Sequence, residues 1–206
     1  MAGYYAIAAV GKSIERLLAA AFAEREPVPG KVSKAALVRT EDLTDIAVKA
    51  WIPDYGLSLL LLRVDFNKTM RAAWSAAGHA DGRGYLALDL HYLITPWAAN
   101  AEHQQMILGR AMQVLEETPV LTGPLIYTPP LPSPAYDDEP GTATLDSVQL
   151  TLEEISTEAL MRTFDSLPCD YKLSVPYVAR VVRIDTRIAR PRPPVVDANI
   201  RLRMPV

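Results

Sequence analysis

The chain has 206 residues, half of them hydrophobic and 22% charged, with a formal net charge of −3. This is one domain's worth of ordinary globular sequence, well away from the low-hydrophobicity, high-charge signature of disorder. A single cysteine, Cys169, excludes an internal disulfide framework and fits synthesis in a reducing compartment. No run approaches the roughly 18 apolar residues of a membrane span, and the segment Met1-Ala2-Gly3-Tyr4-Tyr5 lacks the pattern of a signal peptide.

The periodicity predicts an amphipathic helix from roughly Tyr5 to Glu24, with Ile7, Val10, Ile14, Leu17, Leu18, Ala21 and Phe22 on one side. It ends before Pro27 and Pro29. Lys34–Arg39 and Leu57–Phe66 read as strands. The run Leu59-Leu60-Leu61-Leu62 is apolar on both faces, as an interior strand would be. Tyr85–Thr95 alternates: Leu86, Leu88, Leu90, Tyr92 and Ile94 on one side, Asp89, His91 and Thr95 on the other. That pattern predicts a half-exposed strand. Asn100 is placed to cap a helix with Glu102 in its first turn, Ile107, Ala111, Val114 and Leu115 as its buried stripe, and Pro119 as its stop.

Seven of the 17 prolines lie between Pro119 and Pro140. With the acidic run Asp137-Asp138-Glu139, they mark 123–141 as a long extended loop of polyproline character. Val148, Leu150 and Leu152 then alternate as a strand. Ser156 is placed to cap a helix bearing Leu160, Phe164 and Leu167, and Leu173–Ile184 is a last strand with Pro176 expected at an edge or bulge. Four further prolines fall between Pro191 and Pro205. Residues 187–206 carry five arginines against one aspartate, a net +4, so the rest of the chain stands at −7. The expected organisation is an α+β domain over 1–186, with a mixed, largely antiparallel sheet flanked by helices, followed by a basic Pro/Arg-rich arm over 187–206.

Residues that could carry chemistry are few. His91 and Asp89 lie two apart on one strand, where a metal-dependent hydrolase could use them, although a solvated face or a subunit contact is the simpler expectation. His103 and His79 stand without a second ligand at metal spacing, and Gly78–Gly84 lacks the Lys-Ser/Thr of a phosphate loop. Cys169 in Leu167-Pro168-Cys169 reads as a buried turn, and no Gly-x-Ser-x-Gly elbow is present. Asp42, Asp45, Asp137, Asp138 and Glu139 read as solvated loop charges.

The arm is the most distinctive local feature. Arg187, Arg190 and Arg192 lead to Ile200, Arg201, Leu202 and Arg203, which alternate apolar and basic. Such a segment could add a strand to a neighbour's sheet edge. Its lack of aromatics and the acidic body argue against nucleic acid. An adaptor binding through the proline loop or the arm, without forming a ring, is another reading of the same features.

An ordered set of motifs carries a family resemblance. It comprises Tyr92-Leu93-Ile94-Thr95-Pro96-Trp97, a helix with Glu102 and Leu108-Gly109, then Pro119-Val120-Leu121, Val148 to Ser156, Leu173 to Tyr177 and Val181 to Asp185. Over roughly residues 3–185 the chain resembles the N-terminal domain of the cap (tail-terminator) proteins of phage-tail-like contractile injection systems, of the antifeeding-prophage and virulence-cassette type. The resemblance implies a fold like phage tail terminators and a structural, non-enzymatic role without cofactors. It implies a homohexameric ring that ends the inner tube and joins the last sheath layer, so the expected partners are copies of itself, tube protein and sheath protein. Neither nucleic acid nor membrane insertion is expected. The subunit would be made and assembled in the cytoplasm, as part of a particle of the kind that can be released from the cell.

Overall fold

Helix α1 (Ala6–Glu24) turns one apolar stripe inward, burying Val10, Ile14, Leu18 and Phe22. In the computed structural model, which describes residues 3–45, 47–52, 54–70, 84–128 and 147–185, that stripe packs on a six-stranded sheet. The strands are β1 (Lys34–Val38), β2 (Gly56–Phe66), β3 (Tyr85–Trp97), β4 (Val120–Thr122), β5 (Ser147–Leu152) and β6 (Val175–Asp185). Helices α2 (Ala101–Glu117) and α3 (Thr157–Asp165) follow β3 and β5, and short 3-10 turns lie at Thr40–Asp42, Val48–Ala50 and Gly123–Leu125.

The spatial order is β1-β2-β3-β6-β5-β4. Only β1 and β2 run parallel; the other four pairings are antiparallel. The fold is therefore α+β with a mixed, largely antiparallel sheet. The run Leu59–Leu62 lies in β2, between β1 and β3, as its two-faced apolarity requires.

Both helix caps form where the sequence places them. Asn100 Oδ1 accepts from the His103 amide at 2.8 Å, and Ser156 Oγ accepts from the Ala159 amide at 3.2 Å. Each satisfies an amide that the first helical turn would otherwise leave open.

Around the Leu90–Trp97 half of β3 the sheet is covered on both faces. One face carries α1 and α2 over Leu57, Leu59, Leu90, Tyr92 and Ile94. The other carries the segment around Leu43, Val48 and Ile52 together with Phe164 of α3, over Leu60, Leu93 and Trp97. This corrects the half-exposed reading of β3. From Leu90 to Trp97 every residue is buried, because the second layer comes from segments distant in sequence. Each fully buried Leu or Ile contributes on the order of 1.5–3 kcal/mol.

Pro176 pairs with Leu93 inside the sheet. Its carbonyl accepts from the Glu153 amide at 3.0 Å, and β5 stops at Leu152. In an antiparallel strand a residue's nitrogen and carbonyl point the same way. The missing N–H of Pro176 therefore faces the end of β5, where little of the ladder is lost.

Candidate functional site

The motif that carries the family resemblance is built into the core. Tyr92 lies on the α1 face and is 2% exposed, and burial pushes its hydroxyl pKa far above the ordinary range. It fits because α1 presents Gly11. A Cβ there would stand 3.2 Å from the Tyr92 hydroxyl oxygen and 3.1 Å from Leu37 Cδ1. Thr95 and Trp97 point to the other face and enter a buried polar chain. Trp97 Nε1–H donates to Ser58 Oγ at 2.8 Å, and Ser58 Oγ–H donates to the Thr95 carbonyl at 3.3 Å. Thr95 and Ser174 share a hydroxyl hydrogen bond at 2.7 Å, and Ser174 also donates to the Lys172 carbonyl at 3.1 Å. This chain ties β2, β3 and the approach to β6 together and satisfies hydroxyls that burial would otherwise penalise.

The chain reaches the surface at Lys172, whose ammonium lies 5.1 Å from the centroid of the Trp97 ring and 2.9 Å from Asp45 Oδ1. Here an open cleft of about 960 Å³ runs between Gly30–Val32, the Asp45–Tyr55 segment and the start of α2. Lys31 and Lys49 stand on its walls, and Lys31 Nζ lies 5.7 Å from the Tyr55 ring centroid.

His91 is buried, contrary to the expectation of a solvated face, and its partner is not Asp89. Its Nδ1 lies 2.7 Å from Glu153 Oε2, and its Nε2 lies 3.4 Å from Asp65 Oδ2. Arg63 closes the cluster through Asp65 at 2.9 Å and Glu153 at 3.5 Å. Asp89 is held separately by the side-chain amide of Asn67 at 3.1 Å. The pair proposed for metal chemistry therefore does not converge on one reactive point. Among the described residues no group of three or more His, Cys, Asp or Glu could hold a metal. Glu153, 62 residues from His91, gave no local signal in the sequence.

Asp42 is likewise not a solvated charge. Two hydrogen bonds from the Arg39 guanidinium, with a third from the Arg39 amide, hold its pKa down at about 2. Asp45 is exposed and pairs with Lys172. His103 lies in the first turn of α2, with its ring 5.5 Å from that of Tyr55. Cys169 is half-buried, which pushes its thiol pKa up. His79, Gly78–Arg83, Asp137, Asp138, Glu139 and the arm residues Arg187, Arg190, Arg192, Ile200, Arg201, Leu202 and Arg203 lie outside the described residues.

The two sheet edges differ. On β1 the Lys34 amide bonds inward to the Tyr55 carbonyl, so Ala35 and Leu37 face outward. There Glu15 Oε2 accepts from the Leu37 amide at 3.3 Å, and Lys12 holds the same carboxylate through Oε1 at 2.6 Å. A charged side chain set across an edge in this way blocks strand addition. On β4 the Pro119 carbonyl accepts from Leu150 at 2.7 Å, which leaves the backbone groups of Val120 and Thr122 facing out.

No helix among the described residues is long and apolar enough to cross a membrane. The fold is similar to a solved sheath/tube terminator in its extended state, from an extracellular contractile injection system termed PVC. The TM-score is 0.53 at 17% identity, over 96% of this chain and 64% of that one. It is also similar to the tube-terminating cap of the anti-feeding prophage, with a TM-score of 0.55 at 17% identity over 94% of this chain and 60% of that one. The chain thus spans less than two thirds of either protein. No curated protein matches it. The family model described as the Pvc16 N-terminal domain matches residues 9–198, running past the sheet and into the basic arm. With that match across most of its length, the chain belongs to the Pvc16 N-terminal domain family.

Proposed function

We propose that this chain is a structural cap subunit of a contractile injection particle. It forms a homohexameric ring that terminates the inner tube and meets the last sheath layer. The observation that carries this reading is the family match over residues 9–198, supported by the likeness of the whole described fold to two tube terminators. The construction suits the role. Tyr92, Thr95 and Trp97 are used to rigidify the subunit, which leaves the surface for assembly. A ring needs heterologous contacts that close by rotation, and a rigid subunit holds the closing angle.

The subunit works without a cofactor or a catalytic step. The basic arm, with Arg187, Arg190, Arg192, Ile200, Arg201, Leu202 and Arg203, contacts a neighbouring subunit or the sheath. Its alternating segment suits the outward backbone groups of Val120 and Thr122 on β4 better than the β1 edge, where Glu15 stands in the way. Assembly takes place in the cytoplasm, and the particle is one that can act outside the cell.

Electron microscopy of particles carrying an affinity-labelled subunit tests the assignment. Label at the tube end distal to the baseplate is expected; label along the tube, or none, would overturn it. Deletion of residues 187–206 is expected to weaken attachment while the body stays folded by circular dichroism.

A further inference from the structure

Opposite β4 the sheet has a second stretch of open edge. β1 pairs with β2 only from Gly56 to Leu60, whereas β2 runs on to Phe66. The chain leaves the sheet at Arg39, whose amide donates to Asp42 Oδ2 at 3.0 Å and starts the turn Thr40–Asp42. A bulge between Leu61 and Arg63 sets the overhang off from the part of β2 that β1 covers. Among the described residues no strand pairs with the outer side of Leu61–Asp65. The Asn67 amide donates to the Ala87 carbonyl at 2.9 Å, one residue past the pair Phe66 and Leu88. Backbone groups alternate along an antiparallel pair, so those of Asp65 face β3 and those of Val64 face outward. Val64 is 42% exposed. Beside the end of β1 an apolar cleft of about 570 Å³ opens, lined by Ile7, Leu37, Leu61 and Tyr92.

The overhang and β4 match as two halves of one contact. Val64 stands level with Leu90, Leu90 with Ala179 and Ala179 with Leu150, whose amide bonds to the Pro119 carbonyl at the entrance of β4. The two edges therefore lie on one line across the sheet. Four antiparallel pairings separate them, so β4 runs in the same direction as β2. Val64 points to the side of Leu90, and Leu121 is buried on that same side. The edges are four strand spacings apart, about 19 Å, on opposite margins. One copy cannot pair its own two edges. Resting on the reading that the subunit assembles with copies of itself, we infer that β4 of one subunit pairs in parallel with the Leu61–Asp65 overhang of the next, in the place that β1 leaves open beyond Val38.

A contact between opposite margins of the same sheet is head-to-tail, the type that closes rings. Rotation about an axis along the strands preserves their direction, so the new pair is parallel, as β1 already is with β2. In a parallel ladder the outward groups of Val120 and Thr122 bracket Val64. The Val64 amide donates to the Val120 carbonyl, and the Thr122 amide donates to the Val64 carbonyl. Val64 then lies opposite Leu121, and Asp65 opposite Thr122. The offset of two residues, from Pro119 to Leu121, is stagger of the kind that tilted strands introduce when a sheet closes. The preformed overhang holds the β4 groups inside the ring, and the arm is left for the sheath.

The test uses the full chain carrying Cys169→Ser, Asp65→Cys and Thr122→Cys, treated with a short bismaleimide both free and in assembled particles. Cross-linked multimers larger than dimers are expected, and none when either new cysteine is left out. Absence of multimers from the double variant would overturn the inference. Dimers from Thr122→Cys alone would overturn it too, because they place β4 against β4 about a two-fold axis. So would multimers that form only after deletion of residues 187–206, because they give the β4 edge to the arm. Val64→Pro removes the outward N–H and is expected to abolish the multimers, while Val64→Ala keeps it and retains them. Circular dichroism checks that both variants fold, and the cross-link decides alone where the proline variant does not. Electron microscopy separates the two readings. Label at tube ends without cross-linking rejects the edge pairing alone, while cross-linked rings without label at tube ends reject the cap assignment alone.

Discussion

The indole N–H of Trp97 reaches across the sheet to the hydroxyl of Ser58, 39 residues earlier, at 2.8 Å. Both groups are buried, so the bond links β2 to β3 on the face covered by α3. Ser58→Ala leaves a buried donor unsatisfied and is expected to cost about 1–3 kcal/mol. Chemical denaturation of Ser58→Ala, Trp97→Phe and the double variant checks this, since a shared bond makes the two losses non-additive.

The two helical glycines are expected to respond in opposite directions. A side chain at Gly11 meets Leu37 and the Tyr92 hydroxyl, whereas a Cβ at Gly109 has nothing within 4 Å. Gly11→Val is expected to destabilise by about 1–3 kcal/mol through overpacking. Gly109→Ala is expected to stabilise by about 0.5–1 kcal/mol, because it removes glycine's entropic cost inside α2. Thermal unfolding of both variants reads the opposite signs.

Much of the fold was legible because its signals are local. The Asn100 and Ser156 caps each act within three residues, and the two-faced apolarity of β2 follows from its own sequence. The burial of His91 was not legible. Its cover comes from Arg63 and Asp65 on β2 and from Glu153 just past the end of β5, and alternation along β3 reports only which side a residue faces. Asp42 was missed for a different reason: its partner Arg39 stands three residues away, but the residue pattern does not show that the guanidinium folds back over the carboxylate. The lysine cleft escaped the sequence reading altogether, since Lys31, Lys49 and Lys172 come together only through tertiary packing.

Asp42 makes stability depend on pH in a defined window. Its folded pKa, about 2, lies below the ordinary 3.8. A depressed carboxylate stabilises the fold fully above its unfolded value, and that contribution disappears as pH falls through the folded one. Asp42→Asn is expected to be less stable than the native chain at pH 7. The gap should shrink as pH drops from about 4 toward 2. Parallel urea titrations across that range measure it, and a constant gap would contradict the assignment.

The imidazole of His91 is occupied by carboxylates on both nitrogens. Treatment with a chelator is therefore expected to leave the melting temperature unchanged. Glu153→Ala is expected to lower it, because it removes the 2.7 Å partner of a buried ring. Calorimetry with and without chelator provides the comparison, and a drop in melting temperature on metal removal would contradict this description of the cluster.

The central claim, that this subunit ends the tube, is tested most directly by the distribution of tube lengths. Tube and sheath proteins of the same particle can be assembled with and without this chain and measured by electron microscopy. The account predicts one narrow length with the chain present and a broad, open-ended distribution without it. Equal distributions in the two preparations would contradict it.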